Sequence, residues 1–171
     1  MDEKRLLILT GEKSGLNAIL PAVEKMDDKE LKKIRLIGPD YSEIPESIRT
    51  DIKIPSINNL ELTKNILLDY SSVLIKIIKY IQDERITDIL FVDNPDFNLL
   101  IAHLTNHSIR KYYYIIPQIW AWREYRVKYL KRYFRKLFVI FPFEVDLLKK
   151  YGIESKFVGH PLYQKTFKDI N

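Results

Sequence analysis

Asp88-Ile-Leu-Phe-Val92, running straight into Asp93-Asn-Pro-Asp-Phe-Asn98, reads as a buried strand that stops abruptly and turns into a helix. A short apolar run bounded by turn residues has the length and composition of a strand covered on both faces. Pro95 fixes its own φ and biases Asn94 toward extended backbone, so the strand must end there. Apolar residues then recur at helical spacing, which predicts a helix over residues 96–106.

The same alternation extends in both directions. Strands are expected at residues 5–10, 34–38, 51–54, 112–116, 137–141 and 156–158, and helices at 16–26, 59–85, 123–135 and 144–151. Pro21 is compatible with the first of these helices only in its opening turn or at a kink. Strands alternating with helices predict an α/β fold: a doubly wound, mainly parallel, Rossmann-like sheet over residues 1–158, with 159–171 as the start of a linker. Functional residues of such sheets gather at the carboxyl ends of strands. That rule selects Gly11–Gly15, Asp93–Asn98, Pro117–Arg123 and Pro142–Glu144.

At 171 residues, 46% hydrophobic and 30% charged, the chain can bury a core of its own. The absence of cysteine excludes disulfides and thiolate metal sites. Met1-Asp-Glu-Lys-Arg5 leads into a strand rather than a signal peptide, and no apolar run reaches the ~18 residues of a spanning helix. Between Arg110 and Lys136, nine Lys/Arg stand against one acid, Glu124; this local +8 exceeds the +5 of the whole chain and leaves −3 elsewhere. A basic stripe of that kind suits phosphate, an anionic membrane or nucleic acid. A second stripe, with Leu60, Leu67, Leu74 and Ile81 seven apart, is explained by core burial or by docking on a bilayer.

Each candidate site residue has a structural alternative. Gly11-Glu-Lys-Ser-Gly15 places a helix N-terminus after a strand, but it is neither G-x-G-x-x-G nor a P-loop. Glu12 would repel a phosphate and suits a sugar hydroxyl, while the bland reading is a plain turn. Asp93 and Asp96, three apart at a strand end, could supply a general base and an orienting carboxylate; Asp96 alone could equally be a first-turn acid. Pro117-Gln-Ile-Trp-Ala-Trp-Arg123 offers flat apolar faces beside Arg123 and Arg126, or simply a core tryptophan and solvated arginines. Glu144 could stabilise a helix N-terminus, and His160 sits where a polar ligand contact would fit. His103 and His107, at i and i+4, lack the glutamate of a zincin motif and read as surface residues.

Taken in order, five of these segments resemble the lipid A disaccharide synthases, a family of inverting GT-B glycosyltransferases. Gly11-Glu-Lys-Ser-Gly-Leu16 is similar to the family's G-E-A-S-G-D, with Leu16 in place of the acid. Asp93–Asn98 matches D-x-P-D-F-N, Pro117–Arg123 matches P-x-[VI]-W-A-W-[RK], Pro142–Glu144 matches P-F-E, and Val158–Leu162 matches V-G-H-P-L. The resemblance implies transfer of 2,3-diacylglucosamine from a UDP donor to 2,3-diacylglucosamine 1-phosphate, making the β-1,6 disaccharide of lipid A. Asp96 is then the expected base, with Glu12, Ser14, Asp93, Asn98, Trp120, Arg123, Arg126 and His160 around the substrates. No metal or cofactor is expected, because helix dipoles and cations can stabilise a UDP leaving group. The partners it implies are the UDP-sugar, the phosphorylated acceptor and the anionic inner face of the bacterial inner membrane, reached from the cytoplasm. It also implies a UDP-binding domain beyond residue 171, so the chain by itself is expected to be inactive. The readings that compete with this one are a basic, aromatic-rich nucleic-acid-binding module and a non-catalytic scaffold subunit.

Overall fold

A computed structural model of the chain describes residues 4–39, 43–54, 64–120 and 124–161. Among these, seven strands form one all-parallel sheet: β1 (Leu6–Thr10), β2 (Ile34–Gly38), β3 (Arg49–Lys53), β4 (Asp88–Val92), β5 (Arg110–Tyr114), β6 (Lys136–Val139) and β7 (Ser155–Phe157). Their order is β3-β2-β1-β4-β5-β6-β7, the doubly wound arrangement expected. The connecting helices are α1 (Lys13–Val23), α2 (Asp28–Leu31), α3 (Lys64–Asp83), α4 (Pro95–Leu104), α5 (Val127–Tyr133) and α6 (Pro142–Lys150).

The order reverses between β1 and β4, so the chain winds one way first and then the other. Each face of the sheet is covered as a result, and each has its own core. Leu16, Ile19 and Val23 of α1 pack with Ile8, Leu36 and Val92 on one side. On the other, Leu7, Leu9, Ile89, Phe91, Tyr113 and Leu137 meet residues of α3, α4, α5 and α6. Coverage of both faces is why the central strands β1 and β4 read as near-continuous apolar runs. Of the apolar stripe, Ile81 is buried in α3 and Leu74 half-buried; Val73 and Ile77 on the same helix are buried, whereas Ile75 is exposed. Leu60 lies outside the described residues.

Several boundaries differ from the expected ones for local reasons. β5 begins at Arg110 because its length is set by its neighbour: β4 and β5 pair from Asp88↔Arg110 to Val92↔Tyr114. Asp88 accepts from Arg110 Nε and Nη2 at 2.8 and 2.6 Å, which holds a charged residue at the strand start. Ile115, at φ 57, ends the strand. α1 begins at Lys13, so Lys13, Ser14 and Gly15 form a first helical turn rather than a loop. Pro21 therefore falls in the last turn, not the first. The short α2 was not expected, although Asp27 and Glu30 carry its signature. Glu30 N–H donates to Asp27 at 2.8 Å and Asp27 N–H donates to Glu30 at 3.1 Å. Among the described residues no helix is long and apolar enough to cross a membrane.

Candidate active site

Open parallel sheets bind ligands at the carboxyl ends of strands, where the strand order reverses. Here that point lies between β1 and β4, and it brings together two of the four segments selected from the sequence. Ser14 Oγ donates to Asp93 Oδ2 at 2.8 Å, joining the first turn of α1 to the end of β4. Gly15 permits the approach: a Cβ there would lie 2.5 Å from Thr10 Oγ1 and 3.3 Å from the Val92 carbonyl. Glu12 is exposed and extended, at φ −140 and ψ 162, and makes no side-chain capping bond to α1.

The strand end itself is unusual. Asp93 and Asn94 have φ values of 52 and 39, both in the left-handed region that favours glycine. Pro95 was expected to bias Asn94 toward extended backbone; instead Asn94 is left-handed and precedes α4 as its N-cap. The turn persists because buried donors hold it. The Asp93 carbonyl accepts from Asn98 Nδ2 at 2.6 Å and from Tyr113 Oη at 2.7 Å. Asn98 Nδ2 also donates to the Val92 carbonyl at 3.3 Å. Asn98 is 0% exposed, so it lies beneath the turn and acts on the two aspartates through the backbone. Burial pushes the Tyr113 phenol far above its usual range, so it remains an O–H donor.

The turn presents Asp96 in the first turn of α4, with a side chain 77% exposed. Its Oδ1 accepts from Arg126 Nη2, while the Arg126 side chain is only 3% exposed. Arg126, expected around the substrates, has little of its side chain in contact with solvent. The guanidinium is enclosed, beside the Tyr125 ring at 5.9 Å, and its anion is Asp96.

Along the same carboxyl edge, the segments after β5, β6 and β7 build an aromatic wall. The Trp120 ring lies edge-on to Phe143 at 5.0 Å and to Phe141 at 6.3 Å, and His160 lies 5.7 Å from Phe141. Trp120 and Phe143 remain 38% and 49% exposed. Glu144 takes the bland reading: it is buried and accepts from the N–H groups of Ile140 at 3.1 Å and Phe141 at 2.8 Å. Burial raises its carboxyl above the ordinary value, against the lowering effect of those two donors. Arg123 lies outside the described residues.

The basic stripe does not form one surface. Arg110 pairs with Asp88 and Lys136 with Glu154 at the opposite, amino edge of the sheet. Lys111 is buried and donates to the Asn106 carbonyl at 2.7 Å; burial lowers its ammonium pKa. His103 Nδ1 is 2.7 Å from Tyr133 Oη and His107 stacks on the same ring, so both pack rather than converge on a shared ligand. Among the described residues no group of His, Cys, Asp or Glu is arranged to hold a metal ion.

Sequence reasoning passed over two residues beside this site. Tyr113 looked like an ordinary strand residue, and Tyr70 like an ordinary residue of the helix expected at 59–85. Tyr70 packs edge-on against Phe97 at 5.6 Å. Burial first, and then the nearby Glu12 carboxylate, raise its phenol pKa. No local motif could announce them, because each contact spans tens of residues.

Known proteins share this stretch of sequence. A family model described as Lipid-A-disaccharide synthetase matches residues 6–171. The chain is 33% identical over 167 residues to a lipid-A-disaccharide synthase of Coxiella burnetii, covering 95% of this chain and 44% of that protein. It is 32% identical over 164 residues to the synthase of Koribacter versatilis, covering 92% and 42%. A stretch of 79 residues is 45% identical to the synthase of Geobacter sulfurreducens, covering 46% and 21%. The chain thus spans less than half the length of these relatives.

Proposed function

This chain belongs to the lipid-A-disaccharide synthetase family, and from that membership we propose that it carries the acceptor side and the general base of a glycosyl transfer. The donor is UDP-2,3-diacylglucosamine, the acceptor 2,3-diacylglucosamine 1-phosphate, and the product a β-1,6-linked disaccharide with inversion at the donor carbon. Recognition of UDP falls to the part of the relatives that this stretch does not match.

Asp96 is the base. An exposed carboxylate at the reversal point of a parallel sheet, fixed by a buried cation, is the observation that carries the assignment. The acceptor hydroxyl proton passes to Asp96 as its oxygen bonds to the anomeric carbon. The bond from that carbon to UDP breaks, and UDP leaves with the electron pair. Asp93, Ser14 and Glu12 line the same end of β1 and β4 and orient the sugar hydroxyls, while Asn98 sets the turn that carries both aspartates. Trp120 and His160 form the apolar wall, and Arg123 meets acceptor phosphate. The chain works at the anionic inner face of the bacterial inner membrane, from the cytoplasmic side.

The test is Asp96→Asn in the complete protein, assayed for disaccharide formation from both substrates. Loss of a general base lowers kcat by ~10²–10⁴-fold. Turnover equal to wild type removes Asp96 from the mechanism.

A further inference from the structure

We propose that Arg126 is a positioning residue for the reaction: its buried guanidinium fixes the Asp96 carboxylate in the orientation that receives the acceptor proton. The inference rests on the assignment of Asp96 as base and adds the group that aims it.

The two partners differ sharply in exposure. Asp96 is 77% exposed at its side chain and Arg126 only 3%. A side chain so enclosed cannot serve as a solvent-facing phosphate clamp. A guanidinium removed from water requires an anion, and among the described residues Oδ1 of Asp96 supplies one. Its own position is equally determined. Arg126 closes a 3-10 turn, Glu124–Arg126, that runs directly into α5, and the adjoining Val127 and Leu130 are anchored in the core.

An exposed aspartate in the first turn of a helix has several rotamers open to it. The buried cation narrows that choice and holds one carboxylate oxygen, while the group as a whole keeps its access to the cleft. Arg126 also contributes to the field at Tyr113, along with Asp93 and Asp96, so the ion pair belongs to the same cluster as the left-handed turn. This arrangement aims the base from below and leaves the acceptor to approach from above.

Four variants of the complete protein separate this role from direct substrate binding: Arg126→Met, Arg126→Lys, Asp96→Asn and the Asp96→Asn/Arg126→Met double. Steady-state rates are measured with the acceptor varied, and folding is checked by thermal melting. The expected result for Arg126→Met is a fall in kcat of ~30–100-fold with the acceptor KM within about twofold. Arg126→Lys should recover part of that loss, and it carries the test alone if the methionine variant fails to melt cooperatively. The double variant should be no slower than Asp96→Asn, because aiming an absent base has no effect. An acceptor KM that rises while kcat holds overturns the proposal and makes Arg126 a substrate contact. So do unchanged kinetics in both Arg126 variants, or losses that multiply in the double. Wild-type turnover in Asp96→Asn sinks the base assignment and this inference together; an inactive Asp96→Asn beside a fully active Arg126→Met sinks this inference alone.

Discussion

Replacing Asn98 with aspartate tests the turn that carries both aspartates, because it changes hydrogen-bonding chemistry at almost constant shape. Asn98 Nδ2 donates to the Asp93 carbonyl at 2.6 Å and the Val92 carbonyl at 3.3 Å from a fully buried position. An ionised carboxylate would set oxygen against two carbonyl oxygens without water, so the introduced carboxyl must stay protonated in the folded state. A protonated carboxyl restores one donor of the two, for a net loss of about 1 kcal/mol. Keeping the proton adds a pH-dependent cost. An unfolded aspartate titrates near ~3.9, and above that each pH unit costs the folded state about 1.4 kcal/mol until the raised folded pKa is passed. The sign follows from the raised pKa: Asn98→Asp loses least below the unfolded value, and its deficit grows as pH rises. Between pH ~5 and ~7 the deficit should widen by about 2.7 kcal/mol, or roughly 5–11 °C in melting temperature for a chain of this size. Parallel thermal melts of wild type, Asn98→Asp and Asn98→Leu at the two pH values provide the measurement. The leucine variant should show a constant offset. An aspartate offset that is also constant, or absent at the higher pH, refutes the buried-donor account of the turn.

Two further perturbations probe other parts of the frame. In Gly11→Ala the new Cβ would lie 2.0 Å from Asn94 Nδ2 and 2.8 Å from Asn94 Cβ, so the left-handed residue must shift. A destabilisation of ~1–3 kcal/mol is expected, largely recovered in Gly11→Ala/Asn94→Gly and read from denaturant midpoints; a single variant that melts like wild type contradicts the close approach. At the amino edge, burial pushes the Asp88 carboxyl up, but the hydrogen bonds and charge of Arg110, with Thr87, hold it below the usual range. Its stabilising effect is present above ~3.9 and lost as pH falls through the lower folded value, so Asp88→Asn should flatten the acid limb of the stability–pH curve and converge with wild type at low pH. Curves that stay parallel would show that the pair does not couple to protonation.

The centre of the sheet was legible because both its faces are buried there, which makes β1 and β4 near-continuous apolar runs. Helix starts were less legible. α1 begins three residues before the expected position because Gly15 lets the helix press against Thr10 and Val92, a contact between segments far apart in sequence. The segment Asp93–Asn98 does end β4 and open α4, yet its local reading of Asn94 as extended failed: donors from Tyr113 and Asn98 outweigh the preference imposed by proline. Arg126 looked like one member of a basic face. Only the packing of α5 onto α4 shows it enclosed, since burial of a charge depends on a partner that no neighbouring residue supplies.

Because all seven strands point the same way, every connection leaving a strand emerges on one rim and every connection entering a strand arrives on the other. The strands here are mostly five residues long, so the two rims are separated by roughly 17 Å of rigid backbone. A fluorophore, an affinity handle or a pair of new chain termini placed around exposed Ser108, ahead of β5, would sit on the far rim from Asp96. The fold thus offers an attachment side for surface immobilisation that keeps the carboxyl edge of the sheet facing outward.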